Sequence, residues 1–204
     1  VTACSIASKQ FCDTRAENDF TRGYMLQMLR SLGPVMTALG GYGVPQEWGK
    51  AHRARFDATF NHTASIAVVC EDLPEPENRV TLDPALKDSS GLPAPQIHYR
   101  VSSNSKKMLK QGRERCEEIL TRAGAGEVRH IPLLQGAGFH LMGTARMGED
   151  PKRFVTNEWG RTHDIKNLFI ADGSLFTSAA AVNPTATIQA LALRVGTHIA
   201  KSYV

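Results

Sequence analysis

The stretch HLMGTARMG, residues 140–148, places one histidine, two glycines, a threonine and an arginine between apolar residues. Glycine lets a backbone turn, or approach another group, where a β-carbon would not fit. The composition is therefore that of a shaped loop. Two further stretches follow it. NLFIADGS, 167–174, is a short apolar run stopped by Asp172 and Gly173. NPTATIQALALR, 183–194, opens with Asn183 and Pro184, types preferred at a helix start, and continues with Ile188, Leu191, Ala192, Val195 and Ile199 on one helical stripe. A buried strand, a glycine-containing turn and a helix opening beside it make a dinucleotide-like order of elements.

Upstream, the pattern changes from loop to sheet. HTASIAVVCED (62–72), NRVTLD (78–83) and PQIHYRVS (95–102) are rich in β-branched residues or alternate in polarity, and predict three strands. PALKDSSGLPAP, between the second and third, is a turn by composition. SNSKKMLKQGRERCEEILTRAGAG (103–126) predicts a helix capped at Ser103 to Ser105 and ended by Gly124 and Gly126. Met108, Leu109, Cys116, Ile119 and Leu120 lie on its sheet-facing side. DFTRGYMLQMLRSLG (19–33) has helix formers interrupted by Gly23, Gly33 and Pro34 and reads as helix or irregular structure, with loop at GGYGVPQEW beyond it.

With 204 residues, the chain can bury a real apolar core. Its formal charge of +4 is spread among both signs, and the locally basic stretch at 105–115 reads as a solvated helix face, so a nucleic-acid interface is not expected. Cys4, Cys12, Cys70 and Cys116 lack the paired spacing of a zinc or dithiol site and read as structural thiols. No apolar run is long enough for a membrane span, and the sequence does not decide between cytoplasm and periplasm.

HLMGTARMGEDP, NLFIADGS and NPTATIQALALR, in that order, resemble the C-terminal part of the glucose-methanol-choline (GMC) oxidoreductases. EDLPEPENRVTLDP and GLPAPQIHYRVS resemble the preceding substrate-domain sheet of the bacterial branch, so the resemblance covers roughly 62–204. It implies an α+β portion of an α/β FAD enzyme: a mostly antiparallel substrate-domain sheet backed by helices over 1–160, and a return into the FAD-binding domain over 161–204. It also implies oxidation of an alcohol, polyol, sugar or sugar acid, with FAD as cofactor and hydride transfer to flavin N5.

The resemblance gives residues their roles. His140 matches the base that takes the hydroxyl proton, a task suited to an imidazole titrating near neutrality. Asn183 matches a second active-site position, where an amide can orient the alcohol oxygen; as the residue before Pro184 it also suits an ordinary helix cap. Asp172, Gly173, Asn183, Pro184 and Thr185 match cofactor-contacting positions, the last three at a helix N-terminus that favours negative charge. Gly143 and Thr144 shape the loop behind His140, Arg146 suits pairing with an acid or a place near the flavin, and Ala145 stands where many members carry Cys. His52, His62, His98, His130, His163 and His198 read as structural or exposed.

The family's Gly-x-Gly-x-x-Gly turn is missing, and RAGAGEV (122–128) follows a predicted helix and not a strand. The expectation is that about 300 residues, the size of about two ordinary domains, belong upstream as an FAD-binding segment partnering this chain, with an electron-acceptor subunit as a further partner. Without that segment, NLFIA lacks strand partners and the last helix exposes its apolar stripe. The alternative is a catalytically silent binding module that keeps the substrate-domain fold.

Overall fold

Helix-forming Met, Leu and Gln fill YMLQML, yet in the computed structural model these residues form an extended strand, the middle one of a sheet. The structure describes residues 6–8, 10–30, 32–41, 47–131, 133 and 138–203. Cys4 and most of the GGYGVPQEW loop lie outside them. The chain divides into two compact units, Val1–Cys70 with Lys107–Ala137, and Glu71–Lys106 with Gly138–Val204.

In the first unit, strands β1 (Ile6–Ser8), β2 (Tyr24–Leu29) and β3 (Ser65–Cys70) form an antiparallel sheet in chain order. β2 pairs residue for residue with β3, from Tyr24 opposite Cys70 to Leu29 opposite Ser65. The reading of 19–33 as helix or irregular structure is thus corrected. Tyr24, Met25 and Leu26 are buried on both faces of β2, and that burial with two strand partners outweighs a propensity of tenths of a kcal/mol per residue. Two short helices, α1 (Pro34–Ala38) and α2 (Lys50–Thr59), lie between β2 and β3 in sequence.

Helix α3 (Ser103–Arg122) covers this sheet as expected. Met108 and Cys116 pack with Phe20, Tyr24 and Leu26, and with partly buried Phe11, Ile66, Val68 and Cys70. Gly112 sits mid-helix at a propensity cost of about 1 kcal/mol. A β-carbon there would stand 2.4 Å from Val68 Cγ1, so this glycine sets how closely helix and sheet approach. The cap is one residue earlier than the sequence suggested: Ser102 Oγ accepts from the Ser105 N–H. Gly124, at φ 89°, ends the helix, its N–H on the Thr121 carbonyl.

The second unit holds the hairpin of β4 (Arg79–Lys87) and β5 (Pro93–His98), where two more strands were expected. β4 runs further than its sequence suggested. Asp83 accepts from the Ala85 and Leu86 N–H groups across a register irregularity, and this absorbs Pro84. Arg79 and Thr81 pair opposite His98 and Gln96 on a polar face, while Val80 opposite Ile97 and Leu82 opposite Pro95 make an apolar one.

NLFIA is not a strand. Phe169 makes one isolated bridge to Arg161, the Thr162 N–H bonds the Leu168 carbonyl, and the Ile170 N–H bonds the Gly160 carbonyl. A strand needs a ladder, and among the described residues this run meets only the short 160–162 segment on one side. After it come a 3₁₀ turn, Gly173–Leu175, and helix α4 (Thr185–Tyr203). The expectation that α4 exposes its apolar stripe is also corrected. Val195 is buried beneath the Gly160 backbone, and Ile188, Leu191, Ala192 and Ile199 are half-buried within the unit. Among the described residues, no helix is long and apolar enough to cross a membrane.

Candidate active site

The three stretches that drew attention in the sequence meet in the second unit. Gly143, Ala145 and Met147 donate their N–H groups to the carbonyls of Gly173, Ser174 and Leu175, at 3.3, 3.0 and 3.0 Å. The 140–148 loop therefore lies along the Asp-Gly turn, rung by rung. At Gly173 the packing closes further: a β-carbon there would stand 3.2 Å from the Leu141 carbonyl oxygen, 3.3 Å from Ile188 Cδ1 and 3.4 Å from Met142 Cγ. Leu141 and Met142 come from the loop, Ile188 from the first turn of α4. Gly173 is the point where loop, turn and helix mouth converge.

The Asp172 carboxylate caps this turn. Its Oδ1 accepts from the Ser174 hydroxyl at 2.5 Å and from the Ser174 N–H at 2.8 Å. Hydrogen bonds to the ionised form, the hydroxyl first and the amide second, lower its pKa from the ordinary carboxylate value. Asp172 itself is exposed. Ser174 is a partner that sequence reasoning missed, although Asp followed two residues later by Ser is a recognisable side-chain-to-backbone turn pattern.

His140 lies in the irregular 138–143 segment with its imidazole exposed, between Phe139 and Leu141, which are 81 % and 79 % exposed. Asn183 is exposed two residues before the start of α4 at Thr185, and no hydrogen bond joins either side chain to a described residue. The first helical bond of α4 runs from the Ile188 N–H to the carbonyl of buried Pro184, at 2.9 Å, so Asn183 stands one residue outside the cap. The N–H groups of Thr185, Ala186 and Thr187 have no acceptor within the helix, as at any helix start. Leu141, Met142 and Ile188 meet at Gly173, with exposed His140 and Asn183 in the flanking segments; an imidazole can receive a proton, an amide can orient a hydroxyl, and helix-start N–H groups can hold an anionic or carbonyl group.

Four of the other histidines have side-chain partners. His163 Nε2 lies 3.0 Å from the Gly148 carbonyl, and His198 stacks on Trp159 with ring centroids 4.5 Å apart. His98 meets Thr81 Oγ1 at 2.8 Å, and His130 meets Glu117 at 3.1 Å. His163 carried no sequence signal, because its partner is fifteen residues away. Arg194 spans the Trp159 face at 4.2 Å and donates to the Glu158 carbonyl, tying the middle of α4 to the loop before NLFIA.

The second unit thus sets a histidine-bearing loop against an Asp-Gly turn at a helix mouth. Residues 74–192 match the family model described as GMC oxidoreductase, and the chain belongs to that family. It is 41% identical over 198 residues to 2-methyl-1,2-propanediol dehydrogenase of Mycolicibacterium austroafricanum, an alignment covering 96% of this chain and 36% of that protein. Fructose dehydrogenase large subunit of Gluconobacter japonicus is 36% identical over 133 residues, covering 65% of this chain and 24% of its own length. Gluconate 2-dehydrogenase flavoprotein of Pantoea cypripedii is 27% identical over 157 residues, covering 73% and 25%. The chain thus spans about a third or less of the relatives it matches. These relatives are oxidoreductases named for alcohol or sugar donors.

Proposed function

We propose that this chain forms the C-terminal portion of an FAD-dependent oxidoreductase that oxidises an alcohol, polyol, sugar or sugar acid. The observation that carries the reading is the convergence at Gly173 of the loop bearing His140 with the mouth of α4. In this reading residues 1–160 belong to the substrate domain and 161–204 to the FAD-binding domain, with the remainder of that domain on the upstream segment.

The residues suit such a cofactor. Gly173 leaves room where a side chain would crowd the loop, and the free N–H groups of Thr185 to Thr187 favour an electron-rich group. Asp172, Gly173, Asn183, Pro184 and Thr185 would line its contact. When bound, flavin supplies the acceptor for a hydride from the carbinol carbon. His140 accepts the hydroxyl proton as that hydride leaves, and general-base help of this kind is worth about 10²–10⁴ in rate. Asn183 donates its amide N–H to the alcohol oxygen and orients it; an amide cannot serve as base near neutral pH. The names of the fructose and gluconate relatives include a large subunit and a flavoprotein, which supports a separate electron-acceptor subunit as partner.

The test is anaerobic bleaching of flavin absorbance in the full-length polypeptide by a panel of diols, sugars and sugar acids. His140→Ala is expected to slow bleaching by about a hundredfold or more while flavin stays bound. Unchanged bleaching would remove His140 from the base role. A colourless, well-folded full-length polypeptide that binds such ligands without redox change would favour the silent binding module.

A further inference from the structure

The 140–148 loop is held along both edges. Gly143, Ala145 and Met147 face the 173–175 turn, while on the other side the Arg146 carbonyl accepts from the Val155 and Thr156 N–H groups, and the Gly148 N–H donates to the Thr156 carbonyl at 2.8 Å. All of these bonds are backbone to backbone. Among the described residues, His163 is the side chain that bonds this loop's backbone. Its Nε2 meets the Gly148 carbonyl at 3.0 Å, and because a carbonyl only accepts, Nε2 carries the proton and donates. The His163 N–H is itself fixed on the Val155 carbonyl at 3.0 Å, and the ring is half-buried.

We propose that His163 is a positioning residue that pins the register of the 140–148 loop against the 173–175 turn, and thereby sets where His140 stands. This inference rests on the base role of His140 proposed above. A slip by one residue would move each of these backbone bonds to a different partner. It would also place a side chain at the Gly143 position, where a β-carbon lies 3.2 Å from the Phe176 carbonyl. His163 acts at the end of the loop away from His140, through backbone register, so its main effect is on the rate of the proton-transfer step.

The experiment compares His163→Ala, His163→Gln and His163→Asn in the flavin-loaded full-length polypeptide. Gln carries an amide N–H at the reach of Nε2, whereas Asn falls one methylene short. His163→Ala and His163→Asn are expected to lower the limiting rate of flavin bleaching about tenfold, with half-saturation changed less than twofold, and His163→Gln to recover most of the rate. Rates per bound flavin that are equal in all variants, or a loss that Gln does not rescue, would overturn the proposal. If the Ala variant fails to fold, the Gln and Asn pair decides. Amide hydrogen exchange gives an answer that does not depend on the redox reading: faster exchange at Ala145, Met147 and Gly148 in His163→Asn is expected, and unchanged exchange there overturns register pinning. Wild-type protein that no alcohol or sugar bleaches would defeat the proposed function, while the exchange result would still judge His163.

Discussion

The Asp172 carboxylate accepts both the hydroxyl and the backbone N–H of Ser174, and so closes the turn on which the 140–148 loop is laid. Asp172 is negative in this arrangement, and its folded pKa is lowered by the Ser174 hydroxyl first and the amide second. A carboxylate with a lowered folded pKa stabilises the fold fully above its ordinary value, about 3.9, and loses that contribution as pH falls through the folded value. An NMR titration of the Asp172 carboxyl is expected to show a midpoint below that ordinary value, and Ser174→Ala should raise it part of the way. A midpoint at the ordinary value in the wild type would mean that the capping bonds do not form in solution.

Tyr24 and Tyr99 answer to the other end of the pH scale. Burial pushes the Tyr24 phenol up to about 12, with Arg115 opposing, and burial together with the hydrogen bond to Asp72 pushes Tyr99 up to about 12. A raised folded pKa contributes stability that is complete below the unfolded value, about 10, and is lost as pH rises from there toward 12. Alkaline titration of absorbance near 295 nm should therefore find both phenols protonated at pH 11 in the folded protein. Tyr24→Phe removes the donor to Gln111 Oε1, a bond of 2.9 Å, and should cost about 1 kcal/mol in urea unfolding, because the half-buried Gln111 amide oxygen loses its partner. Unfolding free energy equal to wild type would show that water replaces the phenol.

Sequence alone was enough for the elements whose pattern is local. α3 announced itself by Met108 and Cys116 at helical spacing behind a run of serines, and β3 by an unbroken β-branched and apolar run. β2 was hidden because Met, Leu and Gln favour a helix by themselves, and only the pairing with β1 and β3 makes the segment a strand. NLFIA misled in the opposite direction: its composition suits a strand, but strandness belongs to a ladder, and the described residues supply a single bridge. The site divides in the same way. The order of the His-Gly-Thr loop, the Asp-Gly turn and the Asn-Pro helix start was legible as a motif, whereas the convergence at Gly173 and the His163 bond to Gly148 join residues far apart in sequence.

Asn183 offers a way to separate two readings that the sequence alone left in competition. As a helix cap it would contribute about 1 kcal/mol to α4. The structure puts the first helical bond on the Pro184 carbonyl and leaves the Asn183 amide exposed, one residue outside the cap, without a bond to a described residue. Asn183→Ala should therefore shift the unfolding free energy by less than about 0.5 kcal/mol, as for an exposed side chain outside any cap. In the flavin-loaded full-length polypeptide the same change should slow bleaching by about tenfold, less than His140→Ala does, because it removes a donor that orients the alcohol and spares the base. Helicity and bleaching then move independently. A loss of α4 protection in hydrogen exchange, with bleaching falling only in proportion to the folded fraction, would return Asn183 to the capping role and leave His140 as the sole polar side chain acting on the alcohol.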